Sequence, residues 1–208
     1  MQSVLDYPFD YALIQRKKRS LKKELESASQ NFVEKKVAIL GGSTTIEVQN
    51  ILELFLLKNG IKPTFYQSEY NKYYEDVVLE NPLLDVFSPD IIYIHTTSVN
   101  ITNWPEIGDS EETLEKKLKA EMQKFENIWS KAKAKYKCLI IQNNFEYSNF
   151  RELGNIDTIS PFGKNQFIRK LNQEFYDSLN KETSVVLNDI NYLAGLVGLN
   201  EWHSAQDF

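Results

Sequence analysis

Five short apolar segments alternate with longer amphipathic ones along this chain, and that alternation restricts its possible folds more than any other feature. The apolar runs span about residues 37–40, 64–67, 91–94, 138–141 and 185–187. Apolar runs this short are typical of strands that are buried on both faces. The segments between them have the length and the apolar spacing of helices. The pattern predicts a three-layer α/β/α fold around a five-stranded, mostly parallel sheet.

An amphipathic helix is predicted before the first strand, over about residues 10–29. We expect residues 1–35 to pack as a helical segment on an α/β domain that spans residues 36–208. Six basic side chains lie on the polar face of this helix: Arg16, Lys17, Lys18, Arg19, Lys22 and Lys23. Two interpretations are open for that face: it is a solvated helix surface, or it docks phosphate or an acidic carrier protein.

Composition excludes several classes of protein. The 208 residues are 42% hydrophobic and 25% charged, which is typical of a folded soluble domain and not of a disordered or fibrous chain. The net charge of −5 argues against nucleic-acid binding, and one cysteine cannot form an internal disulfide. No apolar stretch approaches the roughly 20 residues that span a bilayer. We therefore expect a cytoplasmic protein with no metal and no cofactor.

Small polar side chains follow each predicted strand, and parallel sheets bind ligands at the carboxyl ends of their strands. The candidate site residues are Gly42, Ser43 and Thr44 after the first strand, Asn71 after the second, His95, Thr97 and Asn100 after the third, Asn143 after the fourth, and Asp189 and His203 after the fifth. Their density at one edge of the sheet predicts a binding or catalytic site there.

Ser43 follows two glycines at the predicted start of a helix, and this position has two interpretations. Ser43 either caps the helix or acts as a nucleophile whose oxyanion is held by backbone N–H groups and an asparagine. A nucleophile needs a base, and His95 and His203 are the two histidines of the chain. The chain order of Ser43, Asp189 and His203 resembles that of a triad, although Asp189 equally suits the cap of a turn.

The run from Val37 to Thr45 resembles the first block of SGNH (GDSL-like) hydrolases, whose fold is flavodoxin-like. Gly42 stands where those enzymes usually carry aspartate. Further matching segments are residues 5–11, 68–76, 89–98, 141–146 and 189–193, with Trp202. Together they resemble the N-terminal, SGNH-like half of FkbH-like proteins, over essentially the whole chain. The second half of those proteins is a haloacid-dehalogenase (HAD) domain of subfamily IIIC.

The resemblance implies a hydrolase or a transferase that acts in polyketide or surface-glycan biosynthesis. The HAD half of the family is associated with dephosphorylating a glyceryl phosphate and loading the glyceryl group on the thiol of an acyl carrier protein. This chain contains no DxDxT run, so we expect no HAD phosphatase activity from it. We expect it to be the SGNH-like half of a longer protein. That half is associated with acyl transfer, ester hydrolysis or docking of the carrier.

Position by position, Ser43 matches the nucleophile of the SGNH enzymes. Thr97 falls where their asparagine follows the third strand, so Asn100 or Asn143 would substitute as oxyanion donor. Asn71 is the nearest substitute for the glycine of the second oxyanion block.

The closing Asp-x-x-His of the SGNH family is not reproduced, because Asp189 and His203 lie far apart in the sequence. The function predicted first is acyl (glyceryl-type) transfer or ester hydrolysis with Ser43 as nucleophile. The alternative is a non-catalytic module that docks a carrier protein or binds phosphoglycerate and supports a HAD-type domain.

Overall fold

The computed structural model describes residues 3–28, 31–180 and 183–203, and it confirms the α/β fold. Its strands are β1 (Val33–Gly41), β2 (Ile61–Gln67), β3 (Ile91–His95), β4 (Leu139–Asn143) and β5 (Val185–Asn188). They form one sheet in the order β2-β1-β3-β4-β5, and all four neighbouring pairs are parallel. The carboxyl ends of β1 and β3 are therefore neighbours in the middle of the sheet.

Helices connect the strands and pack on both faces of the sheet. The α-helices of the described residues are α1 (Tyr11–Ala28), α2 (Ile46–Lys58), α3 (Glu75–Val78), α4 (Pro82–Phe87), α5 (Glu111–Tyr136), α6 (Lys164–Leu179), α7 (Ile190–Val197) and α8 (Leu199–Trp202). Two short 3-10 helices span Ser98–Asn100 and Gly154–Thr158. None of the described helices is long and apolar enough to cross a membrane.

The main core lies between one face of the sheet and the helices α5 and α6. Its centre is a cluster of aromatic rings in which Phe125, Phe145 and Phe175 have ring centroids 5.1–5.5 Å apart. A second apolar cluster joins α1 to α2 through Ile14 and Leu54. The predicted N-terminal helix thus forms and packs on α2, and its predicted last residue, at position 29, lies outside the described residues.

Some elements differ from those that the sequence pattern favours. Tyr70, Tyr73, Tyr74, Val77 and Val78 are spaced as in a short helix that ends near Asn81-Pro82. In the structure this helix is reduced to α3, and Asn71, with a left-handed φ of 59°, lies before it. Pro82 does not end a helix but begins α4, where the Asn81 side chain accepts a hydrogen bond from the Leu83 N–H. The helices α7 and α8 follow β5 and were not predicted.

The second face of the sheet is only partly filled by α2. A groove of about 600 Å³ lies between α2 and the strands β3 to β5, and its lining is mostly apolar, including Ile51, Phe55 and Ile91. Tyr93 also lines this groove, while Ile92 and Ile94 belong to the main core. Side chains alternate along a strand, so His95 projects on the same side as Tyr93, toward α2.

Candidate functional site

The turn after β1 is locked to the segment after β3 through the side chain of Asn100. The Asn100 Nδ2 donates to the Gly42 carbonyl at 2.8 Å, and the Gly42 N–H donates to the His95 carbonyl at 2.9 Å. A Cβ atom on Gly42 would lie 2.3 Å from the Asn100 Oδ1. The aspartate that SGNH hydrolases usually carry here would therefore displace Asn100. Glycine at position 42 is what allows the asparagine to approach.

Asn100 is buried and is held on all sides, which fixes the direction of its amide. Its Oδ1 accepts from the Thr97 N–H at 2.9 Å, and its Nδ2 lies 3.4 Å from the Asn71 Oδ1. Asn71 adopts its left-handed conformation in the turn after β2. Three predicted candidates, Asn71, Thr97 and Asn100, are thus brought together beside Gly42. One proton of the Asn100 amide is committed to Gly42, and the other makes only the long contact with Asn71.

Ser43 follows Gly42 in this turn and is half-buried, and within the described residues its hydroxyl makes no hydrogen bond. No side chain caps the N-terminus of α2, because the Thr45 hydroxyl instead accepts from the Gln67 side chain at 2.8 Å. Thr44 is exposed next to Ser43. The helix-cap interpretation of Ser43 therefore has no hydrogen bond in its favour, and the hydroxyl is available to a ligand.

His95 is the histidine that lies next to this turn. It pairs with Gly41 in the parallel ladder, and a Cβ on Gly41 would meet the Ser43 carbonyl and the Thr45 side chain. Residues that are paired across neighbouring strands point to the same face of a sheet. The His95 ring therefore lies on the face where Ser43 and Thr45 cover Gly41. Burial lowers the pKa of His95, which keeps the imidazole neutral at pH 7. Its buried Nδ1 has no hydrogen-bond partner among the described residues.

Asp189 and His203 each bond to the segment that follows β4, Asp189 through Asn144 and His203 through Tyr147. The His203 Nε2 is 3.0 Å from the Tyr147 carbonyl, and since a carbonyl only accepts, this nitrogen carries the proton. The Asp189 Oδ1 accepts from the Tyr192 N–H at the start of α7 and from the Asn144 amide. In the described part of the chain no hydrogen bond joins Asp189 to His203, or either histidine to Ser43.

Asn143 is fully buried at the end of β4 and belongs to a separate network. Its Oδ1 accepts from the Tyr93 hydroxyl at 3.1 Å and from the Asn188 amide at 2.8 Å. Its Nδ2 donates to the Thr96 carbonyl at 3.3 Å. Asn143 thereby joins the ends of β3, β4 and β5, and among the described residues no hydrogen bond joins it to the turn after β1.

A buried carboxylate that was not among the predicted site residues, Glu146, bonds to the turn that carries Asn100. Glu146 is 2% exposed and accepts from the Ser98 hydroxyl at 2.8 Å and from the Ser98 N–H at 3.2 Å. Burial raises the pKa of Glu146, against the effects of its own backbone, of the Ser98 hydrogen bonds and of His203 nearby. Ser98 and Glu146 each follow the end of a strand by three residues, and that position is the sequence signal that points to them.

The basic face of α1 divides into two sets of side chains. Lys18 pairs with Glu47 at 2.9 Å and Lys22 pairs with Glu53 at 2.7 Å, so these two lysines join α1 to α2. The other four are exposed and make no ion pair with any described residue: Arg16, Lys17, Arg19 and Lys23. Elsewhere in the described residues, no group of three or more His, Cys, Asp or Glu side chains could hold a metal ion.

Solved structures share this fold. One is the N-terminal part of the protein BF1531 from Bacteroides fragilis, which contains a phosphatase domain and was crystallised with magnesium. It matches with a TM-score of 0.71 at 15% identity, over 89% of this chain and 47% of that one. The present chain thus spans about half the length of BF1531 in that structure. The likeness agrees with the fold expected from the resemblance to FkbH-like proteins.

A second structure is BF3764 from Bacteroides fragilis, named as a candidate acylhydrolase, with a TM-score of 0.47 and 16% identity over 88% of this chain and 79% of that one. No family model matches the chain, and no curated protein sequence does. The comparisons therefore establish one thing about the chain, which is its α/β fold with a five-stranded parallel sheet.

Proposed function

We propose that the chain is an SGNH-like acyl-transfer or ester-hydrolysing domain in which Ser43 is the nucleophile. The observation that carries the proposal is the Ser43 hydroxyl, which bonds to no other described residue, in the turn whose Gly42 carbonyl holds the Asn100 amide at 2.8 Å. A fixed side-chain amide next to a serine hydroxyl is the arrangement that stabilises the oxyanion of acyl transfer. Asn71 and the backbone N–H groups of the turn complete the set of polar groups around that position.

The proposed reaction proceeds in two steps. The Ser43 Oγ attacks the carbonyl carbon of an ester or thioester, its proton passes to a base, and the carbonyl oxygen becomes an oxyanion that accepts from Asn100. The bond to the leaving alcohol or thiol then breaks, and the leaving group takes up the proton. Water or a second acceptor next attacks the acyl-serine and releases Ser43. Asn100 is bonded to the Gly42 carbonyl next to Ser43, whereas Asn143 is bonded to Tyr93, Asn188 and Thr96, and this placement assigns the oxyanion role to Asn100.

His95 is the base that the arrangement favours. It is neutral at pH 7 because burial lowers its pKa, and it neighbours the Ser43 turn through the register of β1 and β3. Hydrogen bonds to a catalytic base are often long in a free enzyme and shorten when substrate is bound. His203 has its Nε2 occupied by Tyr147, and Asp189 caps α7, so neither residue takes part in the proposed proton transfer.

Hydrolysis of a p-nitrophenyl ester by purified protein tests the proposal. We expect Ser43→Ala to reduce the rate to that of buffer, because the acyl-serine cannot form. Ser130→Ala is the control, because Ser130 is exposed on α5, away from the site. Release of p-nitrophenol by Ser43→Ala at the wild-type rate would exclude Ser43 as the nucleophile.

A second candidate function is docking of an acidic carrier protein on α1. The observation that favours it is the set of four exposed basic side chains that form no ion pair with a described residue, in a chain whose net charge is −5. Such a surface attracts an acidic partner over about one Debye length, roughly 10 Å at 0.1 M salt. The acyl group of a carrier thioester could in this way reach Ser43.

Charge reversal tests this docking surface. We expect Lys17→Glu combined with Lys23→Glu to weaken binding of an acyl carrier protein about tenfold, with a larger effect at low salt. The control is Lys116→Glu with Lys119→Glu on α5, which changes the net charge equally at exposed positions. Calorimetric titration measures both pairs. Equal affinities for the two double variants would remove α1 as the docking surface.

A further inference from the structure

Glu146 reaches from the end of β4 to the turn that carries Asn100. The Ser98 hydroxyl donates to its Oε1 at 2.8 Å, and the Ser98 N–H lies 3.2 Å from both carboxylate oxygens. Ser98 is the first residue of the 3-10 helix Ser98–Asn100, and Asn100 is the last. The carboxylate therefore fixes the beginning of a three-residue turn whose end contacts Gly42.

The other end of the same turn is fixed independently from α5. Lys124 donates to the Asn100 carbonyl at 3.0 Å, and Glu121 accepts from Thr102 and Asn103, which follow the turn. The turn is therefore held at both ends, and the interaction of Glu146 with Ser98 is the contact that holds its N-terminal end.

We propose that Glu146 is a positioning residue of the Ser43 site: through Ser98 it holds the turn that presents the Asn100 amide, and its ionisation tightens that turn. The inference rests on the proposed function. An ionised carboxylate offers both oxygens as acceptors to Ser98, whereas the protonated acid turns one oxygen into a donor. Hydrogen bonds to a charged acceptor are also shorter and stronger, so ionisation tightens the turn.

The groups around Glu146 determine when it ionises. Among the described elements packed against this segment, α6 presents Asn172, α7 presents Asn191 and the 3-10 helix presents Ser98, all of them neutral. The titratable neighbour is His203 after α8, and its positive charge lowers the pKa of Glu146 against the larger effect of burial. His203 would in this way influence the site without accepting the proton of Ser43.

Nuclear magnetic resonance tests the inference without any chemical reaction. We expect the Asn100 side-chain amide and the Ser98 and Thr97 N–H signals to titrate together, with a midpoint above the usual glutamate value of about 4.3. Glu146→Gln should remove this titration, and His203→Gln should move its midpoint to higher pH. Glu115→Gln, at an exposed position on α5, is the control and should leave it unchanged. Asn100 signals that do not follow Glu146 would overturn the inference.

Thermal unfolding and the reactivity of Ser43 distinguish positioning from a merely structural role. The pKa of Glu146 is raised, so its ionisation disfavours the fold, and Glu146→Gln should melt at a higher temperature than wild type at pH 7. The difference in melting temperature between the two proteins should shrink as the pH falls through the range in which Glu146 takes up its proton. The same variant should keep the wild-type KM for a p-nitrophenyl ester and have a lower kcat. Its kcat should also no longer fall at the low-pH end of the profile, where wild-type kcat falls.

Glu146→Leu removes the acceptor for Ser98 altogether and should lower kcat at least tenfold where it folds. A Glu146→Gln variant that is both less stable and unchanged in its pH profile would show Glu146 to be structural and would overturn the inference. If wild type hydrolyses no ester, the proposed function fails, and the resonance titration alone then decides whether Glu146 positions Asn100.

Discussion

Replacement of Gly42 by alanine is expected to slow acylation of Ser43 by about 100-fold or more, the usual effect of losing one oxyanion donor. The Cβ of the new residue would lie 2.3 Å from the Asn100 Oδ1 and 2.4 Å from its Nδ2. The backbone of Gly42 is not left-handed, so the substitution acts by displacing Asn100 and not by straining the turn. Initial rates of ester hydrolysis measure the effect.

Two further variants define what the Gly42→Ala result means. Asn100→Ala should reproduce the loss, because both changes remove the same amide from the site. Gly195→Ala is the matched control: Gly195 lies on α7 with nothing near the position of its Cβ, and alanine there should leave the rate unchanged. A Gly42→Ala variant that reacts as fast as wild type would show that Asn100 does not contact the reacting group.

Glu121→Ala is expected to lower the free energy of unfolding by about 3 kcal/mol, as when one partner of a buried ion pair is removed. Glu121 is fully buried on α5, and its Oε1 accepts from the backbone N–H groups and side chains of Thr102 and Asn103. Lys124 lies 3.2 Å from its Oε2 and would lose its carboxylate partner. For a chain of this length, the loss corresponds to a Tm lower by roughly 10 °C.

The same helix provides the control for Glu121→Ala. Glu115 is exposed and lies 3.8 Å from Lys119, so Glu115→Ala should cost no more than about 0.5 kcal/mol. Burial alone would raise the pKa of Glu121, but Lys124 and the hydrogen bonds from Thr102 and Asn103 lower it overall. The stabilisation should therefore be present at neutral pH and be lost as the pH falls below about 4. Equal melting temperatures for the two variants would contradict this account of Glu121.

Much of the fold could be predicted from the sequence, because the central strands are continuous apolar runs. Val37 to Leu40, Ile92 and Ile94 are buried in the middle of the sheet, where the environment demands apolar side chains, and Ile91 lines the groove beside α2. The first residues of β1, from Val33, were not predicted, because they are mostly exposed and carry polar side chains. The helix α7 was not predicted for a different reason: it is only eight residues long and mostly apolar, so periodicity alone does not identify it as a helix, although Ile190 and Ala194 are buried.

Only the location of the site, and not its hydrogen bonds, could be predicted from the sequence. Ser43, Asn71, Thr97 and Asn100 follow three neighbouring strands, and parallel pairing brings such residues to one edge. The bond from Asn100 to the Gly42 carbonyl depends on a turn geometry that spacing does not encode. The carboxylate of Glu146 is likewise recognisable as a partner of Ser98 only once β3 and β4 are placed side by side.

The proposal that Ser43 is a nucleophile is tested most directly by its reaction with a fluorophosphonate. The Oγ attacks phosphorus, fluoride leaves, and the mass of the peptide that contains Ser43 increases by that of the phosphonyl group. We expect intact-protein and peptide mass spectrometry to find one modification, on Ser43, that is absent from Ser43→Ala. An unmodified Ser43, under conditions that fully label a known serine hydrolase, would contradict the proposed function.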